Sequence, residues 1–252
     1  KYYAENLFAD TDEARKALYY ATNRWPQDFI RTFGIGYASN SWDSFSLWAN
    51  GKGLDKDLML ELGLVKEKST NDDVYDTFRG RIMIPIRDKQ HRIIAFTARL
   101  LPDILAHDPN APKYINSSTS LIYDKGNSLF GIDVAWNVAS KAGVMNLVEG
   151  APDVMRLQVI GASNTVAPLG SSWTEAQLSM LKRITDRLNI IPDSDIPKEG
   201  EHFGVGFTSA MRTGKLALSL GFIVTIQEIP INKKKNDPDS YLVSKDKLDE
   251  LT

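Results

Sequence analysis

The 252-residue sequence contains no cysteine and only three histidines. Without cysteine the chain can form no disulfide, no thiolate zinc site and no cysteine nucleophile. The histidines (His91, His107 and His202) are scattered and do not match the spacing of zinc-protease motifs. The sequence therefore predicts no zinc in this chain, and any metal ion must be held mainly by carboxylates.

Long hydrophobic runs are also missing. No apolar stretch approaches the ~20 residues needed to cross a bilayer, and the start of the chain lacks the apolar core of a secretion signal. With 42% hydrophobic and 25% charged residues, the composition is that of a folded soluble protein. We therefore expect a cytoplasmic protein with one large domain or two smaller ones.

A strong net charge is lacking, since 30 basic residues face 32 acidic ones. Such a chain does not coat nucleic acid through overall charge. Between residues 79 and 125, however, basic residues outnumber acidic ones eight to four. The basic residues there are Arg79, Arg81, Arg87, Lys89, Arg92, Arg99, Lys113 and Lys125. This segment is a candidate nucleic-acid surface, although such runs are commonly solvated surface.

The first third of the chain has a helical pattern, with Ala14, Ala17, Leu18 and Ala21 on one face and a break at Pro26. Two β-rich runs, residues 81–87 and 92–97, then predict a hairpin, in which Pro85 favours an edge strand or a bulge.

From residue 144 onward, short apolar runs alternate with helical stretches, which predicts βαβ units and a mainly parallel sheet. The predicted strands are residues 144–148, 165–167, 188–191 and 223–226, and the helical stretches are 154–159, 174–184 and 208–220. We predict an α/β fold with two domains, a helical and β-hairpin lobe over residues 1–140 and a parallel-sheet domain over 141–252. The lysine run 233–235 is predicted in a loop, and a charged helix over residues 244–251.

Three acidic elements follow predicted strands of the second domain. They are Glu149 with Asp153, Asp193 with Asp195, and Asp237 with Asp239. Because ligand sites of open α/β sheets form at the carboxyl ends of strands, these groups can converge. Converging carboxylates repel one another unless a cation neutralises them, and oxygen ligands suit Mg²⁺ or Mn²⁺. Two such ions ~4 Å apart can promote phosphoryl transfer. Taken alone, Asp193 with Asp195 also fits a solvated loop or a helix cap, the segment from Asp237 to Asp239 fits a turn, and Glu149 before Gly150 is a weak signal.

These motifs resemble the Toprim domain shared by DnaG-type primases, topoisomerases and some nucleases. Val148-Glu149-Gly150, Asp193-Ser194-Asp195 and Asn236-Asp237-Pro238-Asp239 are similar to its acidic motifs. Upstream, four segments resemble those of the DnaG-type core and occur in the same order. They start at Phe78-Arg79-Gly80-Arg81, Phe96-Thr97-Ala98-Arg99, Pro112-Lys113-Tyr114 and Tyr123-Asp124-Lys125. The segment starting at Asn23-Arg24-Trp25 resembles the N-terminal lobe of the same family. The resemblance covers nearly the entire chain.

The resemblance implies a DNA primase core that makes RNA primers on single-stranded DNA from ribonucleoside triphosphates. It implies two or more Mg²⁺ or Mn²⁺ ions on six acids, with Glu149, Asp193 and Asp195 catalytic. The six acids are Glu149, Asp153, Asp193, Asp195, Asp237 and Asp239. It also implies a basic groove for nucleotide and template, although each basic residue also fits ordinary surface. The groove residues are Arg24, Arg79, Arg81, Arg99, Lys113, Asn116 and Lys125.

The sequence departs from the family pattern at four places. Ala151-Pro152 replace a tyrosine, Ser194 stands where glycine is usual, and residues 196–203 and 101–111 resemble insertions. The family's zinc module and helicase-interacting region have no counterpart, which suggests an excised, monomeric core whose replicative-helicase contacts lie elsewhere. These departures also suggest a phage or mobile-element origin.

Two rival functions remain open at this stage. A Toprim nuclease or strand-cleaving enzyme would use the same metal cluster, although cleavage through a covalent intermediate needs a positioned tyrosine and none has a recognisable context. A non-catalytic template-binding module would be expected to lack one or more acids, and all six are present. The glycine pattern after Gly34 lacks the last glycine of a dinucleotide fingerprint, and Gly214-Lys215 has no phosphate-binding loop before it.

Overall fold

The computed structural model describes residues 1–69, 73–230 and 236–250. The chain forms two compact units, one of Lys1–Ile86 with Ile93–Asp124 and one of Arg87–Arg92 with Lys125–Thr252. Helices and sheets occur in both, which confirms the predicted α/β class. Within the described residues, no helix has both the length and the apolar character to traverse a bilayer.

The first unit begins with the helices α1 (Tyr2–Leu7), α2 (Asp12–Thr22) and α3 (Gln27–Phe33). The predicted apolar face of α2 is confirmed, since Ala14, Ala17 and Ala21 are buried. Thr11 caps this helix by accepting the N–H of Ala14 at 3.2 Å. Pro26 is the N-cap of α3, so the predicted break is also confirmed.

The prediction that the first third of the chain is helical is wrong in part, because this region also contains strands. After α3 come β1 (Gly36–Ala38), α4 (Ser44–Gly51), α5 (Lys56–Glu61), β2 (Val65–Glu67) and β3 (Val74–Asp76). The strands β2 and β3 pair antiparallel as a separate ribbon. Three-residue strands are too short to show an alternating pattern, which is why the sequence did not reveal them.

The predicted hairpin is confirmed as β4 (Arg81–Arg87) and β5 (Ile93–Leu100). They lie centrally in the sheet order β1-β4-β5-β6, where β6 is Tyr114–Asn116. Pro85 therefore does not lie on an edge strand, but the β1 register ends opposite Met83, so β1 does not pair with it. The predicted insertion 101–111 contains the helix α6 (Pro102–His107).

The second unit contains a five-stranded sheet of order β11-β10-β8-β9-β7. Its elements are β7 (Leu129–Phe130), α7 (Ile132–Ala142), β8 (Met145–Leu147), α8 (Ala151–Val159), β9 (Thr165–Pro168), α9 (Glu175–Lys182), β10 (Arg187–Ile190), α10 (Val205–Ser219), β11 (Ile223–Ile226), α11 (Pro238–Tyr241) and α12 (Lys245–Asp249). The pairs β8–β9, β8–β10 and β10–β11 are parallel, and only β7 runs antiparallel. The predicted βαβ order is confirmed.

The core of this unit lies between the sheet and its helices. Side chains such as Leu147, Val166, Leu178, Leu188 and Ala217 are almost completely buried. The packing fixes the parallel strands so that their carboxyl ends share one edge of the sheet, where the acidic elements follow. The predicted lysine loop 233–235 and residue 251 of the predicted last helix lie outside the described residues.

Candidate metal and nucleotide site

Glu149 follows β8 and contacts the segment that follows β10. Its Oε1 accepts the N–H of Asp193 at 3.1 Å. The two residues are brought together because β8 and β10 are adjacent parallel strands, in register from Met145 opposite Leu188. The first and second predicted acidic motifs therefore meet at the carboxyl edge of the sheet.

The start of α10 closes against the same acids. Oδ2 of Asp195 accepts the N–H of Gly206 at 2.9 Å, so it satisfies one of the donors at this helix terminus. A Cβ at Gly206 would lie 2.3 Å from the carbonyl oxygen of Asp193 and 2.9 Å from Oε1 of Glu149. Glycine is required at this position because the acidic segment and the helix approach so closely.

Asp153 is the buried member of the cluster, with 6% of its surface exposed. Its Oδ2 accepts the N–H of Gly150 at 3.0 Å, and its Oδ1 accepts the N–H of Asp239 at 3.1 Å. Burial raises the pKa of Asp153 well above its usual range, and repulsion from Asp193, Asp237 and Asp239 raises it further, whereas the N–H of Asp239 opposes the shift. The third acidic motif thus lies within electrostatic reach of the other two.

Asp237 and Asp239 flank Pro238 at the start of α11. Asp237 is the N-cap, and its Oδ1 accepts the N–H of Ser240 at 2.7 Å. The Asp239 side chain lies beside Arg156 of α8, whose Nε is 3.4 Å from Oδ1 and donates to the Asp239 carbonyl at 3.0 Å. The segment from Asp237 to Asp239, which alone predicts a turn, therefore begins a short helix that Asp237 caps.

The six predicted acids lie on neighbouring segments at one edge of the sheet, but their surroundings differ. Glu149 is exposed and Asp193, Asp195 and Asp237 are partly exposed, whereas Asp153 is buried. Among the described residues, no three His, Cys, Asp or Glu side chains are arranged closely enough to hold one metal ion. The donor set is nevertheless made of carboxylates that repel one another, which is the chemistry that suits Mg²⁺ or Mn²⁺.

In the first unit, Arg24 and Arg99 gather around aromatic rings. The guanidinium carbons of Arg24 and Arg99 lie 5.7 and 5.3 Å from the centre of the Tyr20 ring. Arg99 also donates to the Tyr114 hydroxyl at 2.9 Å. Burial raises the pKa of Tyr114, and the two arginines oppose that shift. The arrangement combines positive charge with flat apolar faces, as sites for single-stranded nucleic acid do.

Arg79 and Arg81 have different surroundings although they are two residues apart. The Arg79 guanidinium lies 3.8 Å from the centre of the half-exposed Trp42 ring and donates to the Asp76 carbonyl. Arg81 is buried, and its Nη1 donates to the Pro112 carbonyl at 2.9 Å. Burial, together with repulsion from Arg79, lowers the pKa of Arg81 to about 10. Arg81 therefore supports the sheet that carries its neighbours.

The remaining predicted contacts lie on β6 and at the start of the second unit. Lys113 is exposed immediately before β6, and its carbonyl accepts the N–H of Leu100 at 2.9 Å. Asn116 ends β6 opposite Thr97 of β5. Lys125 belongs to the second unit, where its carbonyl accepts Nε2 of Gln177 at 2.9 Å. Their nucleotide and template roles remain predictions.

Sequence reasoning missed the partners of these charged groups. Tyr20 and Tyr114 for the arginines, and Arg156 for Asp239, were not singled out. A signal existed for Arg156, since it lies one turn after Asp153 on the predicted helix and is a cation beside several acids. The close approach of Gly206 could not be read from sequence, because it depends on how α10 packs against Glu149.

Residues 2–136 match the family described as the DNA primase catalytic core, N-terminal domain. This match covers more than half of the chain. The chain belongs to the DNA primase catalytic core family. Residues 146–242 match a second, Toprim-like family, which agrees with the parallel-sheet unit. The family-level expectation drawn from the acidic and upstream motifs is confirmed.

Curated relatives and solved structures agree with this family. The chain is 32% identical to DNA primase of Clostridium acetobutylicum over 241 residues, 95% of this chain and 37% of that protein. The crystal structure of the Aquifex aeolicus primase zinc-binding and RNA polymerase domains matches with a TM-score of 0.84 and 30% identity, over 99% of this chain and 57% of that one. The Escherichia coli primase catalytic core matches with a TM-score of 0.81 and 28% identity, covering 99% and 75%.

The chain thus spans little more than a third of the length of the curated primases it matches. The matched proteins named above come from bacteria. A phage or mobile-element origin of this chain stays a prediction. The predicted domain boundary lies at residue 140. The compact units of the structure divide after Asp124, and the two family matches leave residues 137–145 between them. The division near residue 140 also stays a prediction.

Proposed function

We propose that this chain catalyses template-directed synthesis of short RNA primers on single-stranded DNA during replication, in the bacterial cytoplasm. The observation that carries the proposal is the contact between Glu149 and Asp193, which joins two acidic motifs in a chain of the primase family. Solved relatives support a DNA template, since one matching structure is a DnaG primase catalytic domain bound to single-stranded DNA. We also propose that the chain is a monomeric core and that a replicative helicase is among its partners.

Two or more Mg²⁺ or Mn²⁺ ions fit the acidic cluster by donor chemistry. Glu149, Asp193, Asp195 and Asp237 would hold them, because these acids are more exposed than Asp153. When bound, the ions neutralise triphosphate charge and stabilise the leaving oxygen. We place Asp153 and Asp239 behind these ligands. Asp153 accepts two backbone N–H groups and Asp239 pairs with Arg156.

Glu149 is the proposed base of the reaction. It takes the proton of the primer 3′-hydroxyl while the 3′ oxygen forms a bond to the α-phosphorus and diphosphate leaves. The N–H of Asp193 fixes one oxygen of Glu149. Asp195 fixes the start of α10 against the same acids, so the group that accepts the proton is positioned before substrate binds.

The basic residues are proposed to bind nucleotide phosphates and template. The residues proposed to contact nucleic acid directly are Arg24, Arg79, Arg99, Lys113, Asn116 and Lys125. The aromatic neighbours of Arg24, Arg99 and Arg79 support this role, because bases stack on such faces. Arg81 acts through the sheet, since its guanidinium contacts backbone carbonyls.

The function is tested by incubating the chain with single-stranded DNA, all four ribonucleotides and Mg²⁺ or Mn²⁺. Short RNA products are expected from the wild type and not from the Asp193→Asn variant, which keeps the size of the side chain. Asp28→Asn, an exposed acid on α3, is the matched control and keeps full synthesis. Degradation of the DNA without RNA products would instead identify a nuclease with the same fold.

A further inference from the structure

A cavity of about 200 Å³ opens beside the acidic cluster in the second unit. Pro192, Pro197, Phe203, Phe207 and Ile229 supply its apolar walls, and Asp193, Asp195 and Glu228 supply carboxylates. Pro197, His202 and Phe203 of its wall belong to the loop 196–203, the segment that departs from the family pattern. The cavity is therefore a feature of this chain in addition to its family motifs.

The cavity is too small for a whole nucleotide. Pockets for drug-sized ligands occupy roughly 300–1,000 Å³, so 200 Å³ suits a single small ring. Without a cation between them, its three carboxylates would repel a phosphate group inside the cavity. Hydroxyl groups are the complementary partners, since ionised carboxylates only accept hydrogen bonds.

Two aromatic rings, one exposed and one partly buried, form one side of the opening. The rings of Phe203 and Phe207 lie 4.8 Å apart between centres, and 55% of the Phe203 surface is exposed. When a ligand occupies the cavity, an exposed apolar side chain beside it can cover the ligand, and the removal of apolar surface from water favours binding. The C–H face of a sugar offers such a surface, whereas its hydroxyls can reach carboxylates.

Glu228 is held in a fixed backbone position. The preceding residue, Gln227, donates its N–H to the Ile190 carbonyl at 2.9 Å, which extends the pairing of β10 and β11. The following residue, Ile229, accepts the hydroxyl of Ser194 at 2.6 Å. Since Ser194 stands between Asp193 and Asp195, the Glu228 segment is tied directly to the proposed metal ligands.

We propose that this cavity binds the ribose of the incoming nucleoside triphosphate and that Glu228 accepts a hydrogen bond from its 2′-hydroxyl, which selects ribonucleotides over deoxyribonucleotides. The inference rests on the proposed function, which places the triphosphate at Asp193 and Asp195. These two acids line the cavity, so a sugar in it lies next to the phosphate site, as the short link between ribose and α-phosphate requires. Phe203 covers the sugar face.

A carboxylate partner for a 2′-hydroxyl has a strong effect on selectivity. Acidic residues perform this role in dinucleotide-binding folds, where they accept a hydrogen bond from the ribose. Deoxyribonucleotides lack the donor and so lose a hydrogen bond to a charged acceptor, which is stronger than one between neutral groups. We expect the wild type to bind ATP about tenfold or more tightly than 2′-deoxy-ATP.

The test measures equilibrium binding of ATP and 2′-deoxy-ATP, in the presence of Mg²⁺, to the full chain and to Glu228→Ala, Glu228→Gln and Glu201→Ala. Glu201 is exposed in the loop 196–203 and is not among the residues that line the cavity, so its variant is the matched control. Glu228→Ala should abolish the preference by weakening ATP binding alone, Glu228→Gln should retain part of it, and Glu201→Ala should retain all of it. GTP with 2′-deoxy-GTP should give the same ratios, because the sugar is what is recognised.

Two results would overturn the inference. One is equal affinity of the wild type for ATP and 2′-deoxy-ATP, and the other is an unchanged preference in Glu228→Ala with an unchanged melting temperature. These outcomes are separate from failure of primer synthesis. A chain that makes no primers but shows a Glu228-dependent preference supports the ribose site and contradicts the proposed function. A chain that makes primers with a preference independent of Glu228 does the reverse.

Discussion

Ser194 and Asn236 form an antiparallel bridge, with the N–H of Ser194 2.8 Å from the Asn236 carbonyl oxygen and the N–H of Asn236 3.1 Å from that of Ser194. Ser194 separates Asp193 from Asp195, and Asn236 immediately precedes Asp237. Two acidic motifs that are far apart in the sequence are therefore joined by backbone hydrogen bonds. The convergence of the cluster is a property of the fold and does not depend on side-chain conformation alone.

Glu149→Gln should separate catalysis from stability. Glutamine keeps an oxygen that can accept the N–H of Asp193, and Glu149 is exposed, so the free energy of unfolding should change by about 0.5 kcal/mol or less. Primer synthesis should fall by at least about a hundredfold, because the amide cannot take the proton of the 3′-hydroxyl. Urea unfolding and gel analysis of RNA products measure the two quantities. Synthesis at the wild-type rate would remove Glu149 from the proposed chemistry.

Asp153→Ala should have a different effect. It deprives the N–H groups of Gly150 and Asp239 of their acceptor in a buried place, which should lower the free energy of unfolding by about 1–3 kcal/mol. The measurement is urea unfolding beside Glu149→Gln under the same conditions. Equal stability of the Asp153→Ala variant and the wild type would show that these hydrogen bonds do not support α8 and α11.

Substitution of Lys113 should affect binding of nucleic acid, whereas substitution of Arg81 should affect the stability of the first unit. Lys113→Ala should weaken binding to single-stranded DNA and reduce the dependence of log affinity on log salt by about 0.7, the contribution of one phosphate contact. Arg81→Ala should lower the free energy of unfolding by about 1–3 kcal/mol, because it removes the donor to the Pro112 carbonyl. Lys66→Ala, an exposed lysine on β2, is the control for salt dependence. An unchanged salt slope in Lys113→Ala would exclude Lys113 from the binding surface.

Asp133 gives a prediction about pH. Burial raises the pKa of Asp133, although Arg87 and His91 oppose the shift. The folded protein therefore holds this proton more tightly than the unfolded chain, so the stabilisation is complete below the unfolded pKa of about 4 and is lost as pH rises through the folded pKa. The difference in unfolding free energy between wild type and Asp133→Asn should fall over that range.

The pH measurement uses urea unfolding at intervals from about pH 3 to pH 7. Both proteins carry His91→Asn, because the His91 ring lies 3.6 Å from the Asp133 carboxyl and its charge acts on the pKa of that group. Asparagine tolerates the positive φ of 63° at this position. A difference that stays constant with pH would show that Asp133 has the same pKa in the folded and unfolded states.

The parts of the fold predicted from sequence are those with a clear pattern. The strand at residues 223–226 was predicted with the bounds that β11 has, since four apolar or β-branched residues stand between a glycine turn and polar residues. The strands β1 and β7 were not predicted, because two or three residues carry no periodicity. The order and type of the longer elements follow from local sequence. The shortest strands form only through pairing with neighbouring strands, which local sequence does not show.

The site was predictable to a similar extent. The order of the acids after strands predicted their convergence, because parallel strands end at one edge of a sheet. The difference between exposed Glu149 and buried Asp153 was not predictable, since both follow the same strand and are only four residues apart. It depends on the packing of α11 against α8, which places the N–H of Asp239 on Asp153.

The central claim is that Glu149, Asp193 and Asp195 bind divalent cations for nucleotidyl transfer. Mn²⁺ binding, followed by electron paramagnetic resonance of the free ion, tests it most directly with wild type, Asp193→Asn and the Asp28→Asn control. The account predicts saturable binding by the wild type and the control, and affinity at least about tenfold lower for Asp193→Asn, since one charged ligand is lost. Binding of Mn²⁺ by Asp193→Asn with the affinity of the wild type would contradict it.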